Sequence, residues 1–285
     1  MSEVFVEVEG VRLRAVVDGP NGAPAVLVLH GFTGGAQSME VVAAALASDY
    51  RVARLELVGH GESEAPGDVA PYAMEACARQ VALASKALGF ERPHLVGYSM
   101  GGRTALSTVV AFPGHFASVS LIGATAGLAD ETERAARIAA DEALADRIER
   151  EGLEAFVEGW MALPIFASQS RLGPVFLERA RAERLAQRPK GLANSLRGMG
   201  AGAQRPIWNE LDQVETPALL VVGGEDAKFH AIAEELAGLL RNPRIEIIEG
   251  AGHAAHLEDP QAFGKGLRAF LTRVDAGQGR ETQDE

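Results

Sequence analysis

Eight short apolar runs, each flanked by turn residues, set the frame of this chain: Val4–Val8, Val11–Val17, Ala25–His30, Arg51–Leu57, His94–Tyr98, Ser118–Ile122, Ala218–Val222 and Ile245–Ile248. Runs this short and this rich in Val, Ile and Leu read as buried β-strands. Helical patterns lie between the later ones, at Tyr72–Leu88, Met100–Phe112, Phe229–Leu240 and Gln261–Arg273. The first two runs read as a hairpin. The others alternate with helices, which implies a mostly parallel α/β sheet covered on both faces. The rhythm breaks once. From Leu128 to about Leu211 no strand is legible, only helical stretches punctuated by Gly152, Pro164, Gly173, Pro189 and Pro206. The expected organisation is a core of residues 1–127 and 212–285 with a helical cap insertion, residues 128–211, roofing the strand ends. The polar stretch Gly277–Glu285 is expected to fray.

Composition narrows the function. A 285-residue chain with 47% hydrophobic and 23% charged residues is an ordinary globular protein, not a disordered or fibrous one. Its net charge of −12 and lack of a basic run exclude partners that present a nucleic-acid backbone or an anionic membrane. No apolar stretch reaches the roughly 18 residues needed to span a bilayer. The start, Met1 to Gly10, carries acids where a signal peptide would carry Lys or Arg. The single cysteine, Cys77, cannot form an intrachain disulfide, which fits a reducing cytoplasm. No His/Cys/Asp/Glu cluster has metal-ligand spacing and no dinucleotide fingerprint occurs, so neither a metal nor a cofactor is expected. Oligomeric state is not legible.

The chemistry concentrates at strand ends. Gly97-Tyr98-Ser99-Met100-Gly101 follows an apolar strand and opens a helix, the context in which G-x-S-x-G lifts a serine hydroxyl clear of the backbone. Serine needs a base and an acid that orients the base. His253, after the last strand, and Asp226, after the strand ending at Val222, follow Ser99 in the required order. His256 and Glu225 are their nearest rivals, while His94 and His115 read as structural. The turn His30 to Gly35 suits an oxyanion hole, with the Phe32 and Met100 N–H groups as the donor pair. Arg103 lies four residues after Ser99 and so shares its helix face. An unpaired charge there is strongly disfavoured, so either an internal carboxylate pairs with it or an anionic substrate does, and the substrate is the favoured partner.

These motifs resemble the α/β-hydrolase superfamily over nearly the whole chain. Gly59-His60-Gly61-Glu62-Ser63 is similar to its GHG-x-S turn, with Glu56 where Asp is usual and Val58 where Pro is usual. A closer resemblance is to the 2-succinyl-6-hydroxy-2,4-cyclohexadiene-1-carboxylate synthase family of menaquinone biosynthesis. The matching stretches are Gly97 to Arg103, Glu133 to Arg137 with Asp141, Trp160 with Leu163 to Ser168, Gly191 to Gly200, Gly224 to Phe229, and Ala251 to Glu258. Gly123 to Gly127 departs from the family, whose members tend to have Ser and Pro there.

The resemblance implies Ser99, Asp226 and His253 as the triad, and Tyr98, Arg103, Arg137 and Trp160 around the substrate. A third cap arginine is implied before Gly191, with Arg184 favoured and Arg188 the alternative. It further implies a small-molecule polycarboxylate substrate, in which three carboxylates account for several converging arginines. The implied reaction is a lyase step: proton abstraction α to a ketone, then loss of pyruvate. A serine hydrolase, cleaving a C–C bond or an ester of a carboxylated substrate, is the alternative. A non-catalytic module of the same fold is a third reading, disfavoured by the intact triad.

Overall fold

The computed structural model describes the backbone of residues 1–281 and the side chains of residues 1–277. Strands β1 (Ser2–Val8) and β2 (Val11–Asp18) form the hairpin, followed by β3 (Ala25–Leu29), α1 (Glu40–Leu46), β4 (Arg51–Leu55), α2 (Met74–Ala87) and β5 (His94–Tyr98). Then come α3 (Met100–Ala111), β6 (Ser118–Ile122), α4 (Glu131–Glu151), α5 (Leu153–Met161), a 3-10 segment (Pro164–Leu172), α6 (Gly173–Leu185) and α7 (Pro189–Met199). The chain closes with β7 (Ala218–Gly223), α8 (Ala227–Leu239), β8 (Pro243–Ile248), α9 (Ala255–Glu258) and α10 (Pro260–Glu281).

The strands form one sheet in the order β1-β2-β4-β3-β5-β6-β7-β8. Only β2 runs antiparallel to its neighbours; β4, β3, β5, β6, β7 and β8 pair in parallel. The period of two explains the core. Leu27 and Leu29 enter the layer packed by α2 and α3 with Cys77, Val81 and Leu106, while Val26 and Val28 face Leu46, Phe263 and Leu267 of α1 and α10. Central strands such as β7 are buried at every residue, whereas the edge strand β8 is largely open.

Between β6 and β7 the described chain is helical. Asp130 caps α4 by accepting the Glu133 N–H at 2.8 Å, and the helix stops at Gly152, which adopts φ 81°. These helices have their own core of Ala145, Ile148, Phe156, Val157, Leu192 and Leu196, against which Phe32 of the main body packs. The α7 side chain Asn194 donates to the Pro66 and Gly67 carbonyls at 3.1 and 3.2 Å, tying the insertion to the turn after β4.

Two expectations are corrected. Helix α1 was not anticipated, because Glu40 to Leu46 is short and bounded by neither a side-chain cap nor a glycine stop. Strand β4 ends at Leu55 rather than Leu57: the Glu56 N–H still donates to the Arg14 carbonyl in register with β2, and the chain then turns, with the His60 N–H donating to the Leu57 carbonyl at 3.0 Å. The backbone of residues 277–281 falls within α10. No proline interrupts the chain beyond Pro260, and polarity alone does not stop a helix whose buried stripe of Phe263, Leu267 and Phe270 is anchored. Residues 282–285 lie outside the described part.

Glu56, where Asp is usual, reaches three partners with one carboxylate. Its carboxylate accepts the Ala36 N–H at 3.0 Å, the Glu62 N–H at 2.7 Å and Arg14 Nη1 at 2.9 Å, binding the β3 and β4 loops together. Removing one partner of a buried pair leaves unmatched charge and orphaned donors, so Glu56→Ala should lower the unfolding free energy by about 3 kcal/mol. A urea midpoint unchanged from the wild type would contradict this role.

Candidate active site

The turn after β5 is forced by close backbone packing. A Cβ on Gly101 would sit 2.5 Å from the His30 carbonyl oxygen, and one on Gly97 would overlap the Gly101 carbonyl. Only glycine fits at both positions, and the residue between them, Ser99, takes φ 50° and ψ −108°. A non-glycine residue in that region stores strain of order 1–3 kcal/mol. The Ser99 N–H donates to the Ile122 carbonyl at 2.8 Å, which holds the strained turn against β6.

Ser99 Oγ lies 3.1 Å from His253 Nε2, and His253 Nδ1 lies 2.9 Å from Asp226 Oδ2. With Asp226 accepting at Nδ1–H, Nε2 is the basic nitrogen facing the serine. Asp226 is fixed in turn by the Phe229 N–H at 3.3 Å as the cap of α8. Gly123 leaves room for the imidazole, since a Cβ there would stand 2.7 Å from His253 Cε1. The rivals are placed elsewhere. Glu225 is bonded by Arg171 at 2.8 and 2.9 Å, and His256 packs 4.5 Å from the Tyr98 ring, with neither nitrogen bonded. His94 bridges Ser118 and Asp275, a structural role, and His115 accompanies Ser85.

His30 shapes the opposite loop. Its Nδ1–H donates to the Gly31 carbonyl at 2.8 Å, while Nε2 accepts the Leu57 N–H at 3.1 Å. Burial keeps it neutral by lowering its pKa. Among the described residues the Phe32 and Met100 N–H groups engage no other acceptor, leaving both available to an oxyanion.

The basic residues fall into separate groups. Arg103, 9% exposed, donates to Gln204 Oε1 at 2.7 Å and to the Met199 carbonyl at 2.8 Å. Both hydrogen-bond acceptors are neutral, while the nearby Asp141 carboxylate acts on the guanidinium by charge without a direct bond. Burial, with Arg137 nearby, pulls its pKa down to about 10, and the side chain stays cationic at neutral pH. Arg137 is half-exposed and bonds Asp141 at 2.8 Å, and Asp141 keeps a second buried oxygen unpartnered. Trp160 stacks edge-on to Phe32 at 5.2 Å with its buried indole N–H unbonded.

A cavity of about 400 Å³ is lined by Phe32, Tyr98, Gln169, Glu183, Arg184 and His256 among others. Arg184 thus faces the cavity with Tyr98. Arg188 instead donates to the Ser63 carbonyl, behind the GHG-x-S turn, and does not line the cavity. Ser99, Arg103, Arg137 and Trp160 also lie outside its lining. Sequence reasoning missed Gln204, whose amide holds Arg103, and Gln187, which accepts the Gly61 N–H at 3.0 Å and donates to the Gly34 carbonyl at 3.2 Å. Neither glutamine stands in a motif, so no local signal could have found them.

The mostly parallel sheet, with Ser99 in a tight turn after the fifth strand and Asp226 and His253 in loops after the seventh and eighth, is that of an α/β-hydrolase-fold protein, and residues 24–260 match the family described by that fold. A Bacillus subtilis protein provisionally named 2-succinyl-6-hydroxy-2,4-cyclohexadiene-1-carboxylate synthase is 41% identical over 93% of this chain and 97% of its own length. A Serratia proteamaculans protein named as the same synthase is 31% identical over 90% and 97%. The chain belongs to the family of these synthases. The solved structure of MenH from S. aureus superimposes with a TM-score of 0.87 at 28% identity, covering 92% of this chain and 98% of that one. An enol-lactonase from Burkholderia xenovorans LB400 gives 0.82 at 26% identity, over 94% and 100%. Among the described residues no helix is long and apolar enough to cross a membrane.

Burial, reinforced by His253, drives the pKa of His256 from 6.5 down to about 3. Between those values the unfolded chain binds a proton that the folded one refuses, so stability falls as pH drops through that window. The thermal midpoint of the wild type should therefore decline below pH 6.5, and His256→Phe should flatten part of the slope, the buried His30 and His60 supplying the rest. Equal slopes in both proteins would contradict this.

Proposed function

We propose that this chain is a cytoplasmic carbon–oxygen lyase. It eliminates pyruvate from 2-succinyl-5-enolpyruvyl-6-hydroxy-3-cyclohexene-1-carboxylate to give 2-succinyl-6-hydroxy-2,4-cyclohexadiene-1-carboxylate. The observation that carries the reading is the 41% identity to the Bacillus relative across 93% of this chain, which takes in the helical insertion as well as the core. In this reading residues 1–127 and 212–285 are the catalytic core and residues 128–211 the substrate-gripping cap.

Ser99 Oγ, its proton passing to His253 Nε2, takes the ring proton α to the succinyl ketone. Asp226 stabilises the imidazolium so formed. The resulting enolate oxygen is held by the Phe32 and Met100 N–H groups. Its electron pair then moves through the ring alkene and breaks the bond to the enolpyruvyl oxygen. The proton held on the triad returns to the departing pyruvate enolate, and pyruvate leaves as its keto form. No water is consumed and no acyl-enzyme forms, so a triad usually associated with hydrolysis serves an elimination.

The cationic groups supply substrate affinity. Arg103 has only neutral hydrogen-bond partners, with Asp141 acting on it by charge alone, and a buried cation held this way gains from an incoming carboxylate. Arg137 can exchange Asp141 for a second carboxylate, and Arg184 with Tyr98 offers a third contact at the cavity. Trp160 closes the roof over Phe32.

Pyruvate release from enzymatically generated substrate, followed with lactate dehydrogenase, tests the reading. Ser99→Ala should lower the rate by roughly 100- to 10,000-fold, the usual span for losing a general base. Arg103→Ala should lower kcat/KM by about 100-fold with the triad intact. Release at the spontaneous rate in the wild type, with hydrolysis of carboxylated esters instead, would favour the serine-hydrolase alternative.

A further inference from the structure

Glu258, the last residue of α9, carries a nearly buried carboxylate that the proposed chemistry does not use. Its Oε2 accepts the Gly252 N–H at 2.8 Å and its Oε1 the Ala254 N–H at 3.3 Å, the two peptide groups that flank His253. One side chain therefore brackets the base from both sides of the chain. The same carboxylate receives the Ser168 hydroxyl at 3.0 Å and lies 3.5 Å from Arg171 Nη2, both from the 3-10 segment of the helical insertion.

Arg171 extends the junction. Its guanidinium bonds the Glu225 carboxylate at 2.8 and 2.9 Å and the Gly250 carbonyl at 2.9 Å. Glu225 directly precedes Asp226, and its own N–H donates to the Ala251 carbonyl at 2.9 Å. A single short segment of the insertion thus touches both the loop bearing the acid and the loop bearing the base. Gly252 permits the approach, because a Cβ there would overlap the Ser168 hydroxyl.

We infer that Glu258 is a positioning residue for the active site, fixing His253 between Ser99 and Asp226 and making that alignment depend on the docked Ser168–Arg171 segment. The inference rests on the proposed role of His253 as the base. The physical reason is the span of the contact. The Nε2 to Oγ distance depends on where the His253 backbone sits, and that backbone is held by two N–H groups donating to one fixed carboxylate. A glutamine at 258 cannot substitute, because its NH₂ end would face a donor. A misplacement of about 1 Å in such a site costs up to about 100-fold in rate.

The test reads Ser99 directly. A fluorophosphonate labels the serine only when an aligned histidine accepts its proton, whatever the natural substrate is. Glu258→Gln should label roughly 10- to 100-fold more slowly than wild type. Its kcat for pyruvate release should fall in parallel while KM stays within about twofold. The low-field proton resonance of His253 Nδ1–H should broaden or disappear. The double variant Ser168→Ala with Arg171→Ala keeps the carboxylate but removes the insertion's grip, and should label several-fold more slowly. Labelling of Glu258→Gln at the wild-type rate overturns the inference. If that variant does not fold, wild-type labelling by the double variant overturns it instead. Should the wild type label well yet release no pyruvate, the lyase reading fails while the labelling comparison still decides the role of Glu258.

Discussion

The strained turn at Ser99 is the constraint on which the rest of the molecule depends. A left-handed serine between two glycines persists only because β5, β3 and α3 approach closely and β6 supplies the acceptor for its N–H. That approach requires a parallel sheet buried on both faces, with helices whose apolar sides fill the layers above and below it. The sheet in turn directs the chain so that the loops after β3, β5, β7 and β8 all emerge at one edge. Ser99, Asp226, His253 and the Phe32 and Met100 N–H groups, the proposed catalytic set, meet there because parallel strands deliver them to the same side.

Charge is handled differently inside the site and around it. Structural ions are matched by several partners, as with Glu56 among Arg14, Ala36 and Glu62, or Arg197 among Glu142, Asp146 and Glu149. At the proposed substrate site the matching is incomplete. Arg103 has neutral hydrogen-bond acceptors, and the buried Trp160 N–H has no partner. Buried polar groups left this way are costly, and they are tolerated where a ligand completes them. The contrast fits a polycarboxylate entering an otherwise acidic protein.

The helical insertion is more than a roof. Its α7 is tied to the turn after β4, its Trp160 to Phe32, and its 3-10 segment to the loops of Asp226 and His253. The contacts that orient the proposed catalytic groups are therefore drawn from both parts of the chain, which gives a substrate bound under the insertion a physical route to the alignment of the base.

Much of this was legible because local rules were obeyed. The eight strands appeared as apolar runs, and Gly97-Tyr98-Ser99-Met100-Gly101 announced its turn through glycines that steric packing makes obligatory. The order Ser99, Asp226, His253 followed from the chain order of the strand ends. Helix α1 carried no local signal because it lacks caps. What no local pattern could reveal was pairing over distance. That Arg103 rests on Gln204, that Arg184 and not Arg188 faces the cavity, and that Glu258 brackets His253 while holding Ser168 all depend on residues far apart in the chain. The sequence by itself determined the periodicities and turn residues that select the α/β frame and set the chain order of Ser99, Asp226 and His253, because those are short-range properties of φ, ψ and side-chain alternation. Only the tertiary structure decided which charges are compensated and which stand open, because that depends on which distant groups the folded chain brings within hydrogen-bond reach.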